Sequence, residues 1–266
     1  MESSYRGAER GKHHDQNDFM AERNDICVII PTYNNASTIL RVVDETMKYC
    51  RHLIVVNDGS TDNTLELLKT LPYELQIISY PKNRGKGYAL SRAFDWARTK
   101  DFRYAITLDS DGQHYPSDIP HFIRAIEEHP GAVIVGSRFL KQENMPRENT
   151  FANKFSNFWF ALQTCKRLPD TQTGFRLYPI YRMNKMRLLT TRYETELEIL
   201  VRLAWKGVPI VPLPIRVFYA PAGQRVTHFR KGRDFLRISL LNTVLTLSAF
   251  IYGYPSMLLR KWLKRS

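Results

Sequence analysis

Four short apolar runs, each closing on a polar turn, limit what this chain can become. Ile26–Pro31, His52–Asn57, Glu74–Ser79 and Tyr104–Asp109, with a fifth run at Ala132–Gly136, read as strands buried on both faces. Between them, Ser37–Tyr49, Thr61–Thr70, Gly85–Arg98 and Pro116–Glu128 carry helical periodicity, with Ser60 or Thr61 and Ser117 placed near helix starts as caps. Such alternation predicts an α/β domain: a Rossmann-like, mainly parallel sheet flanked by helices and joined by right-handed crossovers. Ligands of open sheets bind beyond the carboxyl ends of the strands. Polar residues stand at those ends: Thr32-Tyr33-Asn34, Asp58-Gly59-Ser60, Pro81 to Gly87, and Asp109-Ser110-Asp111-Gly112-Gln113.

Past Gly136 the order loosens. Helix candidates at Thr150–Thr164 and Glu194–Lys206 flank a loop at Asp170–Arg176, and two Pro-punctuated strands follow at Val208–Leu213 and Ile215–Tyr219. With 266 residues and 43% hydrophobic content the chain can bury one sizeable core. It therefore divides into a disordered leader (1–24), a single α/β domain (25–221) and a basic, apolar tail (222–266). The leader is polar and lacks the apolar run of a secretory signal, so the expected location is the cytosol. Three scattered cysteines, Cys27, Cys50 and Cys165, form no CxxC pair and imply neither a disulfide framework nor a zinc site.

Two carboxylates one residue apart, Asp109 and Asp111, sit where a strand ends and Gly112 loosens the chain, so both can face the same side. Hard divalent cations take oxygen ligands, commonly one or two carboxylates completed by substrate phosphates. The plain alternative is a turn, which Asp-Gly favours regardless of function; the placement after a buried strand, in line with three other polar strand ends, favours metal. Asp58 can accept hydrogen bonds from a base or ribose, whereas Ser60 and Asp62 read as caps. Lys82, Arg84 and Lys86, among Asn83, Gly85 and Gly87, can face a pyrophosphate at a helix start, although no P-loop or complete dinucleotide fingerprint is present.

Taken in order, Val28-Ile29-Ile30-Pro31-Thr32-Tyr33-Asn34, Val55-Val56-Asn57-Asp58-Gly59-Ser60-Thr61-Asp62, Asn83-Arg84-Gly85-Lys86-Gly87 and Leu108-Asp109-Ser110-Asp111-Gly112-Gln113-His114 resemble family 2 glycosyltransferases of the GT-A fold. Gly136-Ser137-Arg138 and Asp170-Thr171-Gln172-Thr173-Gly174-Phe175-Arg176 are similar to the branch that glycosylates polyprenyl or dolichyl phosphate. The resemblance, from Ile26 to Tyr219, implies inverting transfer of a hexose from a UDP- or GDP-linked donor to a lipid-linked acceptor. It implies that Pro31, Tyr33 and Asp58 hold the nucleoside, that Asp109, Asp111 and Gln113 hold Mg²⁺ or Mn²⁺, and that Arg138 and Arg176 contact phosphate. Where such relatives carry a short Ser-Lys-rich segment, this chain reads Gly223 to Arg230, which leaves the acceptor open.

A phosphate acceptor needs only positioning by cations such as Arg138, Arg176 or Arg225. A hydroxyl acceptor of a glycolipid or polysaccharide precursor needs a base, for which Asp170, Glu194 and Glu196 are candidates, although the acidic run Glu194–Glu198 also suits a helix dipole.

The net charge of +13 calls for an anionic partner, and nine Lys or Arg against one Asp lie in the last 45 residues. Ile238–Leu259 holds no charge and is flanked by basic residues on both sides, including Lys264 and Arg265. Gly253 and Pro255 are expected to break it into two amphipathic segments at the inner membrane face, with Trp262 as an anchor. A nucleotidyltransferase would carry a Gly-rich basic loop after the first strand, and a nucleic-acid module a basic aromatic surface; neither is present, and no nucleic-acid partner is expected.

Overall fold

The computed structural model describes residues 23–138, 147–184, 186–218 and 231–263. The expected leader up to residue 22, the segment 219–230 with Arg225, and Lys264 and Arg265 lie outside the described residues.

Among the described residues seven strands form one sheet: β1 (Ile26–Thr32), β2 (Leu53–Asn57), β3 (Gln76–Ser79), β4 (Tyr104–Thr107), β5 (Val133–Arg138), β6 (Arg176–Pro179) and β7 (Ile210–Ile215). Their order is β3-β2-β1-β4-β6-β5-β7. All neighbours are parallel except β6, which runs antiparallel between β4 and β5. Eight α-helices accompany them among the described residues: α1 (Ile39–Met47), α2 (Thr64–Lys69), α3 (Lys86–Thr99), α4 (Ile119–Glu128), α5 (Arg147–Thr164), α6 (Thr195–Trp205), α7 (Lys231–Ser248) and α8 (Tyr254–Leu263).

The period-two alternation of the strands splits the core. Cys27 and Ile29 of β1 pack on one face with Leu90 and Phe94 of α3 and Leu200 and Leu203 of α6. Val28 and Ile30 pack on the other with Val42 and Val43 of α1 and Phe122 and Ile126 of α4. Both faces are covered, which is why the parallel strands read as unbroken apolar runs.

Three expectations need correction. The loop at Asp170–Arg176 ends one residue inside a strand, since Arg176 starts β6; a four-residue run opening on Arg and closing on Pro179 carries no strand signal of its own. Of the strand expected at Ile215–Tyr219, Ile215 ends β7, Val217 makes a single bridge to His114, and Tyr219 lies outside the described residues. Of the proposed caps, Asp62 does cap, its Oδ1 accepting from Thr64 N–H (3.1 Å) at the start of α2, but Ser60 and Ser117 do not. Ser60 Oγ accepts from Asn34 N–H (3.0 Å), α2 starts later, at Thr64, and Ser117 lies in a 3₁₀ turn before α4.

The tail departs most from its expectation. Gly253 and Pro255 do not break the helix; a π turn at Ala249–Gly253 joins α7 to α8, and Leu236–Leu263 forms 28 continuous helical residues. Pro255 has no N–H to donate and its ring crowds the preceding turn, and a π turn absorbs both without ending the helix. Gly253 leaves room for the Trp205 indole to lie against the backbone, where a Cβ would stand 2.6 Å from the ring.

Candidate active site

The carboxyl ends of β1 and β4 meet where the strand order reverses, and the acidic turn sits there. Leu108 N–H bonds Ile29 O (3.0 Å), which carries the turn over the end of β1. Thr107 Oγ1 donates to Gly174 O (2.7 Å) and clamps the turn to the 170–176 loop. Gly174 is the closing piece, because a Cβ there would overlap the Asp109 carboxylate.

Lys86 opens α3 and Glu196 lies in the first turn of α6. The Lys86 ammonium is 2.6 Å from Asp109 Oδ1 and 2.9 Å from Glu196 Oε2, bridging the two acids. These helix starts can approach because residue 87 is glycine; a Cβ there would overlap the Thr195 side chain.

Burial alone would raise the Asp109 carboxyl, but the Lys86 charge, with His114 and Arg176 adding, holds it below its ordinary value. Burial and the like charge of Asp109 push Asp111 up to about 6. His114 Nε2 lies 3.8 Å from Asp109 Oδ2. Burial, against the pull of Asp109, takes its imidazole down to about 4, so it is neutral at pH 7.

This donor set fits a divalent cation. Asp111 is held protonation-prone beside another carboxylate, and a nearby positive charge relieves that strain. Among the described residues no group of three or more His, Cys, Asp or Glu is arranged to hold a metal. Asp109 and Asp111 are two carboxylates of the kind whose shell substrate phosphates complete. Gln113 adjoins it, its N–H donating to Asp111 Oδ1 (2.9 Å).

Other residues expected in the site have partners within the protein. Asp58, expected to hold a nucleoside, accepts from Asn83 Nδ2 (2.9 Å), Arg84 N–H (2.7 Å) and Gly85 N–H (2.8 Å), so its carboxylate organises the loop before α3. Lys86, expected to face pyrophosphate, is held between two acids. Asp170, a candidate base, is fully buried. It accepts from Arg138 Nε (2.6 Å) and Nη2 (3.0 Å), Asn153 Nδ2 (2.6 Å) and Gln172 N–H (3.0 Å). Burial would raise its pKa, but the Arg138 hydrogen bonds and charge bring it below the ordinary range, the opposite of what a base needs.

Arg138 is thereby turned inward onto Asp170. Arg176, also expected at phosphate, is fully buried and donates to the carbonyls of Thr171, Thr173 and Glu196 and to Tyr178 Oη. It braces the loop from beneath. Pro31 is buried within β1, in register with Val56, and Tyr33 follows half-buried, its carbonyl accepting from Asn35 Nδ2 (3.0 Å).

Three residues enter that sequence reasoning underrated. Glu196 read mainly as a dipole-favouring acid, yet its Oε1 is buried beside Lys86 with no hydrogen-bond partner. His114 was part of a motif without a role, and its Nδ1 is also unpartnered. Arg41 of α1 brings an exposed guanidinium against Gly112, and no motif announces it.

A mostly parallel sheet with an acidic pair at the switch point is the architecture of a GT-A glycosyltransferase. Residues 27–187 match Glycosyl transferase family 2, and the chain belongs to that family. It is similar to the UDP-N-acetylglucosamine–dolichyl-phosphate N-acetylglucosaminyltransferase of Methanococcus voltae, 29% identical over 215 residues, covering 73% of this chain and 86% of that one. The polyprenol monophosphomannose synthase of Mycolicibacterium smegmatis is 26% identical, with 71% of this chain and 75% of that one covered. In fold it matches glucosyl-3-phosphoglycerate synthase from Mycobacterium tuberculosis, solved with Mn²⁺, UDP-glucose and phosphoglyceric acid. That match has a TM-score of 0.61 and 20% identity, covering 89% of this chain and 83% of that one.

Proposed function

We propose that this glycosyltransferase moves a hexose from a UDP- or GDP-linked donor to a polyprenyl-type lipid phosphate at the cytoplasmic membrane face, with inversion and with Mg²⁺ or Mn²⁺. The observation that carries the reading is the Asp109–Asp111 turn. It presents one acid neutralised by Lys86 and one pushed up to about 6, at the switch point of a family 2 domain. The lipid acceptor is supported by the relatives, whose names specify dolichyl phosphate and polyprenol.

Asp109, Asp111 and Gln113 would hold the cation together with the donor diphosphate. When bound, it takes up charge developing on the departing nucleoside diphosphate. An acceptor phosphate oxygen forms the new bond to the anomeric carbon as the bond to the diphosphate breaks. A phosphate monoester is already anionic at neutral pH, so no base is required, consistent with an Asp170 that is locked onto Arg138. Lys86 fixes Asp109 and Glu196 relative to each other, which leaves Glu196 Oε1 to accept a hydrogen bond from a donor-sugar hydroxyl.

The purified chain, incubated with UDP- and GDP-hexoses, Mn²⁺ and a short polyprenyl phosphate, should form a glycosyl phospholipid detectable by mass spectrometry, and EDTA should stop it. Product formed only on a lipid or polysaccharide hydroxyl would replace the acceptor assignment. Transfer undiminished in EDTA would remove the metal.

A further inference from the structure

Among the described residues nothing covers the outer face of the C-terminal helix, which is an apolar surface. Leu240, Leu247, Phe250, Ile251 and Leu258 are each 60–80% exposed, far more than a soluble surface tolerates in one strip. The inner face is fastened to the catalytic domain along most of its length. Leu241, Leu245 and Ala249 belong to the same core as Phe160 and Trp205. Gln163 Nε2 donates to Asn242 Oδ1 (3.1 Å) and Thr246 Oγ1 (3.3 Å), and Ser256 Oγ donates to Trp205 O (3.2 Å). Tyr254 Oη donates to the carbonyl of Leu162. On α5, Leu162 and Phe158, one turn apart, are themselves exposed and extend the apolar strip sideways.

Resting on the lipid-acceptor reading above, we infer that this helix lies in the plane of one leaflet, outer face in the acyl boundary and inner face on the catalytic domain, and does not cross the bilayer. At about 42 Å it is long enough to span. Crossing, however, requires either stripping Leu241, Leu245 and Ala249 out of the core or drawing α5 and α6 into hydrocarbon. Either route puts Asn242 into lipid, apart from Gln163 or with its Nδ2 still unpartnered, and an unsatisfied polar group is strongly disfavoured there.

Charge selects the occupant. Leu236–Leu263 contains no acid, and its cations Arg237, Arg260 and Lys261 stand near the two ends, with the exposed Trp262 beside them. That arrangement matches an anionic lipid surface. A second copy docked on the same face would set cations against cations in either orientation.

The test uses the full chain with Cys50→Ser and Cys165→Ser, carrying Leu240→Cys, Ile251→Cys or Leu258→Cys labelled with a fluorophore. Vesicles of 70:30 phosphatidylcholine and phosphatidylglycerol contain quenchers at two acyl depths. All three labels should be quenched at one shallow depth, about 5–10 Å below the headgroups. Ile251 near the bilayer centre, with the other two shallower, would overturn the in-plane geometry while leaving membrane binding intact. No flotation of the unlabelled chain would instead defeat the membrane reading itself, as would a vesicle-independent dimer that Ile251→Glu dissolves. Leu247→Glu with Ile251→Glu should lower the vesicle-bound fraction at least tenfold with an unchanged melting temperature.

Discussion

Two sets of acids lie within one site and are built to opposite ends. Asp58 and Asp170 are saturated: each carboxylate is filled by donors from its own chain, and Asp170 carries a bidentate arginine. Asp109, Asp111 and Glu196 are left in deficit. One lysine serves two of them, the third is pushed up to about 6, and Glu196 Oε1 has no donor at all. Saturated acids hold loops in place, and deficient acids wait for a ligand to supply the missing charge or proton donor.

The sharpest way to break this contrast is Asp111→Asn. Loss of a carboxylate that helps stabilise transition-state charge is worth several kcal/mol, so transfer should fall on the order of a thousandfold in a steady-state assay, with the circular dichroism spectrum unchanged. Asp170→Ala should do the reverse. It removes the buried carboxylate to which Arg138, Asn153 and Gln172 N–H donate and should cost about 3 kcal/mol or more of stability in denaturant titration, while activity per folded molecule survives better than in Asp111→Asn.

Glu196→Gln comes next. The amide oxygen can still accept from Lys86, but the unpartnered position becomes a donor, so kcat/KM should drop about tenfold to a hundredfold. One deoxy-sugar donor should escape most of that loss; an equal loss for every deoxy donor would mean that Glu196 acts only through Lys86.

The smallest effect concerns pH. A carboxyl whose folded pKa is raised above its unfolded value penalises the fold when ionised, so the penalty is present above about pH 6 and vanishes as pH falls toward the unfolded value. In metal-free buffer, Asp111→Asn should therefore melt higher than the parent at pH 7.5, by about 1–2 kcal/mol equivalent, and the gap should close toward pH 4.

Much of this was legible in the sequence, and the reasons differ by region. Parallel strands covered on both faces write themselves as apolar runs, so β1, β2, β4 and β5 could be read directly, along with the acidic turn after β4. The antiparallel β6 could not, because its pairing is set by β4 and β5 on either side and not by its own four residues. Motifs located the acids but not their state. Asp58 and Asp170 look as available as Asp111 in the chain, and only the donors folded around them show that they are occupied. The tail misled for a local reason: Gly253 and Pro255 are helix breakers by rule, and a π turn together with the Trp205 indole accommodates both.

Electron paramagnetic resonance of Mn²⁺ tests the central claim most directly, since free Mn²⁺ loses its signal on binding. The parent chain should take up Mn²⁺ strongly only when UDP or GDP is present, and Asp111→Asn should take up far less under the same conditions. Equal uptake by the two proteins would contradict the account.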